Sequence, residues 1–82
     1  MDRNHVLEVI IAQLRESIPE LGARPISGSD SMTNLGANSV ERSEILMYTL
    51  ETLGLDIPMV QLHGTDNIGG LANLLHTKLV ES

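Results

Sequence analysis

Residues 35–45 of the chain are Leu-Gly-Ala-Asn-Ser-Val-Glu-Arg-Ser-Glu-Ile, and the predicted fold is built around this junction. The stretch predicts a loop that ends where a helix begins, because Asn38 and Ser39 have short polar side chains that can accept from a first helical turn. Glu41 and Glu44 add negative charge near the positive end of the helix dipole. We therefore expect an exposed serine hydroxyl at a helix N-terminus, a position that also favours a phosphate group. A serine that only caps the helix is the alternative interpretation of these residues.

The chain is short and acidic. Its 82 residues favour one small domain, with 41% apolar residues, a net charge of −6 and no cysteine. A chain without cysteine has neither disulfides nor a thiolate metal site, and it suits a reducing cytoplasm. Its acidic balance disfavours nucleic acid, it has no run of about 20 apolar residues, and we expect no signal peptide because charged residues interrupt the first fifteen positions. We expect a cytoplasmic monomer that binds neither nucleic acid nor membranes. Its acidity either attracts basic patches on protein partners or serves general solubility.

Three apolar runs have helical spacing. They predict helices over residues 3–17, 39–53 and about 67–79, with one short helical turn over 59–63. Residues 19–37 contain proline, glycine and serine and predict a long loop between the first two helices. The predicted fold class is therefore all-α, a small four-helix bundle with three main helices and one short helix.

Particular residues predict where the helices begin and end. Gly54 suits the position just after the second helix, and Thr65 and Asp66 are the expected caps of the last one. Gly69 and Gly70 weaken that last helix near its start, since each glycine costs roughly 1 kcal/mol relative to alanine. Close packing of another helix is the expected reason for the glycine pair.

The residue types that enzymes use for catalysis are scattered along the chain. His5, His63 and His76 lie on three different predicted elements, with no pair at zinc-binding spacing. Ala37 and Glu41 stand where a nucleophile elbow would have glycines. A serine nucleophile needs a nearby base, so we expect no catalysis by the chain itself.

The order of these features resembles the acyl carrier proteins. Their pattern is Leu-Gly-x-Asp-Ser-Leu, then an acidic amphipathic helix, a small-residue turn and an Ile-Pro pair. The corresponding stretches here are residues 35–40, 53–58 and 65–71. Each motif is short, but their order and spacing across nearly the whole chain are specific. The resemblance implies one carrier domain over residues 1–82.

The resemblance also implies a site. Ser39 corresponds to the serine that receives 4′-phosphopantetheine from coenzyme A, and Asn38 before it is the second residue implied to bind this cofactor. A separate phosphopantetheinyl transferase supplies the base and Mg²⁺. The thiol of the arm holds an acyl group as a thioester, and the carrier itself makes no bond. The implied contacts with partner enzymes lie on the second helix and are Val40, Glu41, Arg42, Glu44, Met47 and Glu51.

Departures from the fatty-acid carrier pattern narrow this interpretation. Asn38 stands where those carriers have aspartate, Val40 where they have leucine, Arg42 where the residue is neutral or acidic, and Ser43 where it is commonly apolar. Residues 38–45 resemble the discrete donor carriers of polyketide β-branching cassettes. Asn38 and Arg42 make the recognition surface less acidic, which can exclude fatty-acid enzymes and select one partner.

The donor subfamily implies a sequence of partners. An acyltransferase loads malonyl, a decarboxylating ketosynthase-like enzyme converts it to acetyl, and an enzyme like hydroxymethylglutaryl-CoA (HMG-CoA) synthase adds the acetyl group to a growing polyketide. Two alternatives stay open at this point. One is a general fatty-acid, polyketide or aminoacyl carrier, and the other is a non-carrier helical interaction module.

Overall fold

In its described residues, a computed structural model of the chain contains three α-helices: α1 (Arg3–Ser17), α2 (Ser39–Leu53) and α3 (Ile68–Glu81). It describes residues 2–62, 65 and 67–81, and within these ranges no residue forms a strand. The predicted all-α fold is confirmed. The bounds of α1 and α2 agree with the prediction, whereas α3 starts one residue later than predicted and ends two residues later.

Side chains and a glycine set the ends of α1 and α2. Asp2 caps α1, because its carboxylate accepts from the His5 N–H at 2.8 Å. Gly54 ends α2 as predicted. Its φ of 69° is in the left-handed region that glycine adopts without strain, and its N–H donates to the carbonyls of Glu51 and Leu50.

The start of α3 differs from the prediction. Asn67 is the residue that caps it, since its Oδ1 accepts from the Gly70 N–H at 2.7 Å. Capping by Thr65 is wrong, because the Thr65 hydroxyl donates to the Leu62 carbonyl at 2.9 Å. Thr65 is two residues too early in the chain to reach the first turn, while Asn67 directly precedes it. The other predicted cap, Asp66, lies outside the described residues.

The short helical segments are 3₁₀ turns. The turn predicted after Pro58 spans Met59–Leu62. His63 and Gly64, where the sequence predicted its end, lie outside the described residues. A further turn, Pro19–Leu21, lies within the stretch predicted as loop, because proline presets the backbone angle of a first helical position. Each turn ends in a buried leucine and is thereby tied to the core.

The apolar core is aliphatic, and Thr49 is the polar residue buried with it in the described part of the chain. Helix α1 contacts both α2 and α3 and lies between them in the packing. Tyr48, the one aromatic residue of the chain, is 45% exposed. Burying a branched aliphatic side chain stabilises a fold by about 1.5–3 kcal/mol. The buried apolar residues are Val6, Ile10, Leu14, Ile18, Leu21, Leu35, Ala37, Ile45, Leu50, Leu53, Leu62, Ile68, Leu71, Ala72 and Leu75.

The long loop is bound to the start of α3 through its backbone. The Gly69 N–H donates to the Gly28 carbonyl at 2.8 Å, and the Ile68 N–H donates to the Asp30 carbonyl at 2.9 Å. The first N–H groups of a helix have no partner within it, and here the loop supplies two acceptors. Close packing at Gly69 is confirmed, but its nearest backbone neighbour is the loop at Gly28, and helix α1 contributes its Arg3 side chain.

Alanine at Gly69 tests this contact. A Cβ there would lie 3.0 Å from the Gly28 carbonyl oxygen and 3.3 Å from the Gly28 Cα, both backbone atoms. We expect Gly69→Ala to lower the free energy of unfolding by about 1–3 kcal/mol, since the loop must move. Urea unfolding followed by circular dichroism measures this.

Gly70→Ala is the matched control at the next position. Its Cβ would meet the Asn67 side chain at 3.2 Å and no backbone atom within 4 Å outside its own helical turn. We expect this variant to be neutral or up to about 1 kcal/mol more stable, because alanine favours helix. Equal unfolding midpoints for the two variants would contradict the proposed backbone contact.

Candidate functional site

Asn38, and not Ser39, caps α2. The Asn38 Oδ1 accepts from the Glu41 N–H at 2.8 Å, and the Glu41 carboxylate accepts from the Asn38 N–H at 3.0 Å. This reciprocal pair is a capping box. The interpretation of Ser39 as the cap is therefore wrong: Ser39 is the first residue of the helix, is exposed, and keeps its hydroxyl free of the capping bonds.

The end of the loop holds the start of α2 in place. Leu35 and Ala37 are 4% and 5% exposed, so both anchor in the core. The Ala37 N–H donates to the Met32 carbonyl at 2.9 Å. Between the anchors Gly36 has a φ of 98°, which L-residues rarely adopt. The chain thus reaches Ser39 from a fixed turn.

The Arg42 guanidinium bridges Ser39 and the loop. Its Nη2 donates to the Ser39 Oγ at 3.2 Å, and its Nη1 donates to the Thr33 Oγ1 at 2.9 Å. Sequence reasoning placed Arg42 on the partner face and missed this contact. The available signal was the spacing, because residues three apart on a helix are neighbours.

A cavity of about 420 Å³ opens beside Ser39. The loop, α2 and the start of α3 all line it. Its more exposed lining residues are polar, whereas its buried ones are apolar. The polar members are Ser31, Thr33, Ser39, Arg42, Ser43, Thr65 and Asn67, and the apolar members are Met32, Leu46, Leu62, Ile68 and Leu71.

A second, shallower groove lies on the other side of Ser39 and is mostly apolar. Val40, Met47 and Met59 line it together with Glu44. Val40 is 66% exposed and Met47 is 42% exposed, which is unusual for apolar residues on an amphipathic helix. Glu51 is also exposed on α2.

The predicted partner residues are therefore not equivalent. Glu41 is partly buried, and its carboxylate is engaged in the capping box. Arg42 is bound to Ser39 and Thr33. Of the predicted residues, the exposed ones are Val40, Glu44, Met47 and Glu51. Contact of any of these residues with a partner stays a prediction.

The Ser39 hydroxyl has the Arg42 guanidinium as its hydrogen-bond partner, which donates and cannot accept a proton. Of the histidines, His5 lies on α1 and His76 on α3, while His63 is outside the described residues. The described ranges contain no cluster of three or more potential metal ligands. Likewise, no described helix is both long and apolar enough to cross a bilayer.

These residues fit a phosphate-linked arm. The hydroxyl is exposed at a helix N-terminus, a guanidinium lies beside it, and a cavity with polar and apolar walls begins at the same point. An alcohol in this setting can form a phosphodiester once an external enzyme supplies the base.

The capping box gives a stability test. We expect Asn38→Ala to lower the free energy of unfolding by about 0.5–2 kcal/mol, because the Glu41 N–H loses its acceptor. Ser39→Ala should cost less, since its hydroxyl takes no part in the cap. Asn38→Asp is the control that keeps an acceptor. Thermal unfolding measures all three, and a larger loss for Ser39→Ala than for Asn38→Ala would contradict the assignment of the cap.

Comparison with known proteins agrees with this geometry. Residues 6–75 match the family described as phosphopantetheine attachment site. The chain is 42% identical over 79 residues to the polyketide biosynthesis acyl-carrier-protein AcpK of Bacillus subtilis (strain 168), covering 96% of each chain.

A solved structure is similar as well. It is the crystal structure of the curacin biosynthetic pathway HMG synthase in complex with acetyl donor-ACP, matched at a TM-score of 0.92 and 44% identity over 95% of this chain and 100% of that chain. These findings confirm the resemblance seen in the sequence. The chain belongs to the acyl carrier protein family, whose members carry a covalently attached 4′-phosphopantetheine.

Proposed function

We propose that the chain is a donor acyl carrier protein of polyketide β-branching, with 4′-phosphopantetheine attached at Ser39. The observation that carries the proposal is that the Ser39 hydroxyl stands exposed at the first position of α2 while Asn38 supplies the cap. Similarity to a carrier chain crystallised with an HMG synthase supports the donor role. The arm, when bound, supplies a thiol that holds malonyl or acetyl as a thioester.

The attachment step uses one atom of the chain as nucleophile. The Ser39 Oγ forms a bond to the phosphorus that carries the pantetheine of coenzyme A, and the bond to the bridging pyrophosphate oxygen breaks. Adenosine 3′,5′-bisphosphate leaves, and the hydroxyl proton passes to a base that the phosphopantetheinyl transferase supplies together with Mg²⁺. The chain contributes the position of the hydroxyl, which the capping box and the loop anchors at Leu35 and Ala37 hold in place.

The exposed face of α2 beside Ser39 is the proposed docking surface. Val40 and Met47 offer apolar contacts, and Glu44 and Glu51 offer charge to basic patches. Such a small, charged surface suits rapid and reversible binding, which a carrier needs in order to leave each partner. The proposed partners are the transferase, an HMG-CoA-synthase-like enzyme, an acyltransferase and a decarboxylating ketosynthase-like enzyme.

Several expectations from the sequence belong to the same proposal. The chain acts as one carrier domain over residues 1–82, as a monomer and in the cytoplasm. It performs no catalysis of its own, since the Ser39 hydroxyl contacts an arginine rather than a base. Its net charge of −6 favours protein partners over nucleic acid.

One observation favours a second candidate function. The cavity beside Ser39, at about 420 Å³ with five apolar lining residues, is larger than a two-carbon acyl group requires. A general fatty-acid or polyketide carrier would use such a space for a longer chain. Transfer rates of acetyl and of longer acyl groups to an HMG-CoA-synthase-like enzyme discriminate between the two functions.

Attachment at Ser39 is tested by mass spectrometry. After incubation with coenzyme A and a broad-specificity phosphopantetheinyl transferase, we expect the protein to gain the mass of one phosphopantetheinyl group. Ser39→Ala should gain none, because the accepting oxygen is absent. Ser43→Ala is the matched control, an exposed serine four residues later on α2, and should be modified like the wild type. An unmodified wild-type protein would rule out the carrier function.

Docking through α2 is tested by acetyl transfer to an HMG-CoA-synthase-like enzyme. We expect Val40→Ala and Met47→Ala each to lower kcat/KM by about threefold to tenfold, as a lost interface contact of ~1 kcal/mol does. Val80→Ala is the matched control, because Val80 is 71% exposed but lies on α3.

The charge contribution has its own pair of variants. Glu44→Lys should slow transfer most at low salt, and Glu8→Lys on α1 should leave it unchanged. Equal effects of the α2 variants and their controls would exclude α2 as the docking surface.

A further inference from the structure

Among residues 2–62, 65 and 67–81, Arg42 is the cation that contacts the hydroxyl proposed for modification. Its Nη2 lies 3.2 Å from the Ser39 Oγ, while its Nη1 is held by the Thr33 hydroxyl at 2.9 Å. A guanidinium has five N–H donors in a planar fork, and these two bonds leave donors for a further acceptor. Arg42 is partly buried, so its position is restricted by its surroundings.

The acceptors of Arg42 differ from those of the other bound arginines. Arg3 donates to the Asn73 side chain and the Gly69 carbonyl, and Arg15 donates to the Gly22 carbonyl. Arg42 donates to two hydroxyl groups and, within the described ranges, forms no ion pair; the pair found there joins Lys78 and Glu81. The chain has eleven acidic and five basic residues, yet the Arg42 guanidinium contacts two neutral hydroxyl groups. No carboxylate in the described ranges neutralises its charge by direct contact.

We propose that Arg42 is the chain's own ligand for the phosphodiester at Ser39. It thereby holds the phosphate end of the phosphopantetheine arm in position. This inference rests on the proposed attachment at Ser39. The phosphorus would be bonded directly to the Oγ that Arg42 already contacts, so its two non-bridging oxygens come within reach of the same fork. Bidentate contact with phosphate oxygens is the geometry for which a guanidinium is suited. A lysine side chain has a single ammonium group and cannot make this two-point contact.

The surrounding charges make such a ligand useful. Glu41 places a carboxylate at the same helix end, where it accepts from the Asn38 N–H, and Glu44 lies one turn along α2. A phosphodiester adds a further negative charge to this end. The helix dipole offsets part of the repulsion, and a guanidinium in direct contact offsets more.

Arg42 also determines which of the two grooves beside Ser39 the phosphate faces. Two grooves meet at Ser39: Arg42 and Thr33 line the cavity, whereas Val40 and Met47 line the shallow apolar groove. Because Thr33 holds the guanidinium on the cavity side, a phosphate bound to it faces the loop and the start of α3. The arm then leaves Ser39 away from the proposed docking surface until a partner displaces it.

The test compares apo and holo protein for the wild type, Arg42→Gln and Arg24→Gln. Arg24 is an exposed loop arginine whose side chain forms no hydrogen bond or ion pair in the described part of the chain, and it serves as the matched control. We expect the change in Tm on modification to be about 2–6 °C more positive in the wild type than in Arg42→Gln. This difference should shrink at 1 M salt and be absent for Arg24→Gln.

A purely structural role for Arg42 predicts a different result. Loss of the bond to Thr33 alone would lower the Tm of the apo and holo forms equally and leave the change on modification intact. That outcome would overturn the proposal. Arg42→Lys, which keeps the charge without the fork, should recover only part of the wild-type difference.

Nuclear magnetic resonance of the wild type supplies a readout that needs no variant. We expect the side-chain N–H signals of Arg42, and not those of Arg24, to shift when the arm is attached. Mass spectrometry of the same samples shows whether Ser39 is modified, so the two proposals fail separately. If the protein gains no mass, the proposed attachment at Ser39 is wrong. If it is fully modified but the Arg42 signals do not shift and the changes in Tm are equal, only the proposed role of Arg42 is wrong.

Discussion

The reciprocal bonds between Asn38 and Glu41 are the interaction on which the site depends. The first N–H groups of a helix need hydrogen-bond acceptors from outside the helix ladder, and a side chain that accepts from them is not available for other bonds. Here the amide of Asn38 and the carboxylate of Glu41 perform it together. The next residue, Ser39, is therefore fixed in position by the helix but keeps its side chain for other use.

The loop between α1 and α2 contributes differently to the two helix starts. At α3, the loop carbonyls of Gly28 and Asp30 accept from the first turn together with the Asn67 side chain. At α2, the side chains of Asn38 and Glu41 form the cap, and the serine hydroxyl stays exposed. Because one segment is bound to α3 and ends at α2, it joins both helices into the wall of a single cavity.

Much of this could be predicted from local sequence, because it depends on local physics. The apolar spacing predicted α1 and α2 with correct bounds, and Gly54 predicted the end of α2. The choice between Asn38 and Ser39 as the cap was open from the residues, since both side chains can accept and they are adjacent. The backbone neighbour of Gly69 was not predicted, because Gly28 lies forty-one residues away in the chain and no local pattern reports such a contact. The bond from Arg42 to Thr33 was missed for the same reason, as it joins a helix to a loop.

The departures from the fatty-acid carrier pattern have a common electrostatic consequence. Asparagine at position 38 supplies the same acceptor and the same N–H as the aspartate of that pattern, so the cap is kept while one negative charge beside Ser39 is lost. Arg42 adds a positive charge within hydrogen-bond distance of the same hydroxyl. Relative to an aspartate and a neutral residue, the immediate surroundings of Ser39 become more positive by two charges, while the chain as a whole stays at −6.

A partner that recognises a carboxylate directly before the serine loses its contact, whereas the acidic groups farther along α2, Glu44 and Glu51, still attract a basic enzyme surface. The residues beside Ser39 can thus exclude the wrong partners, while the acidic residues farther along α2 attract basic partners in general.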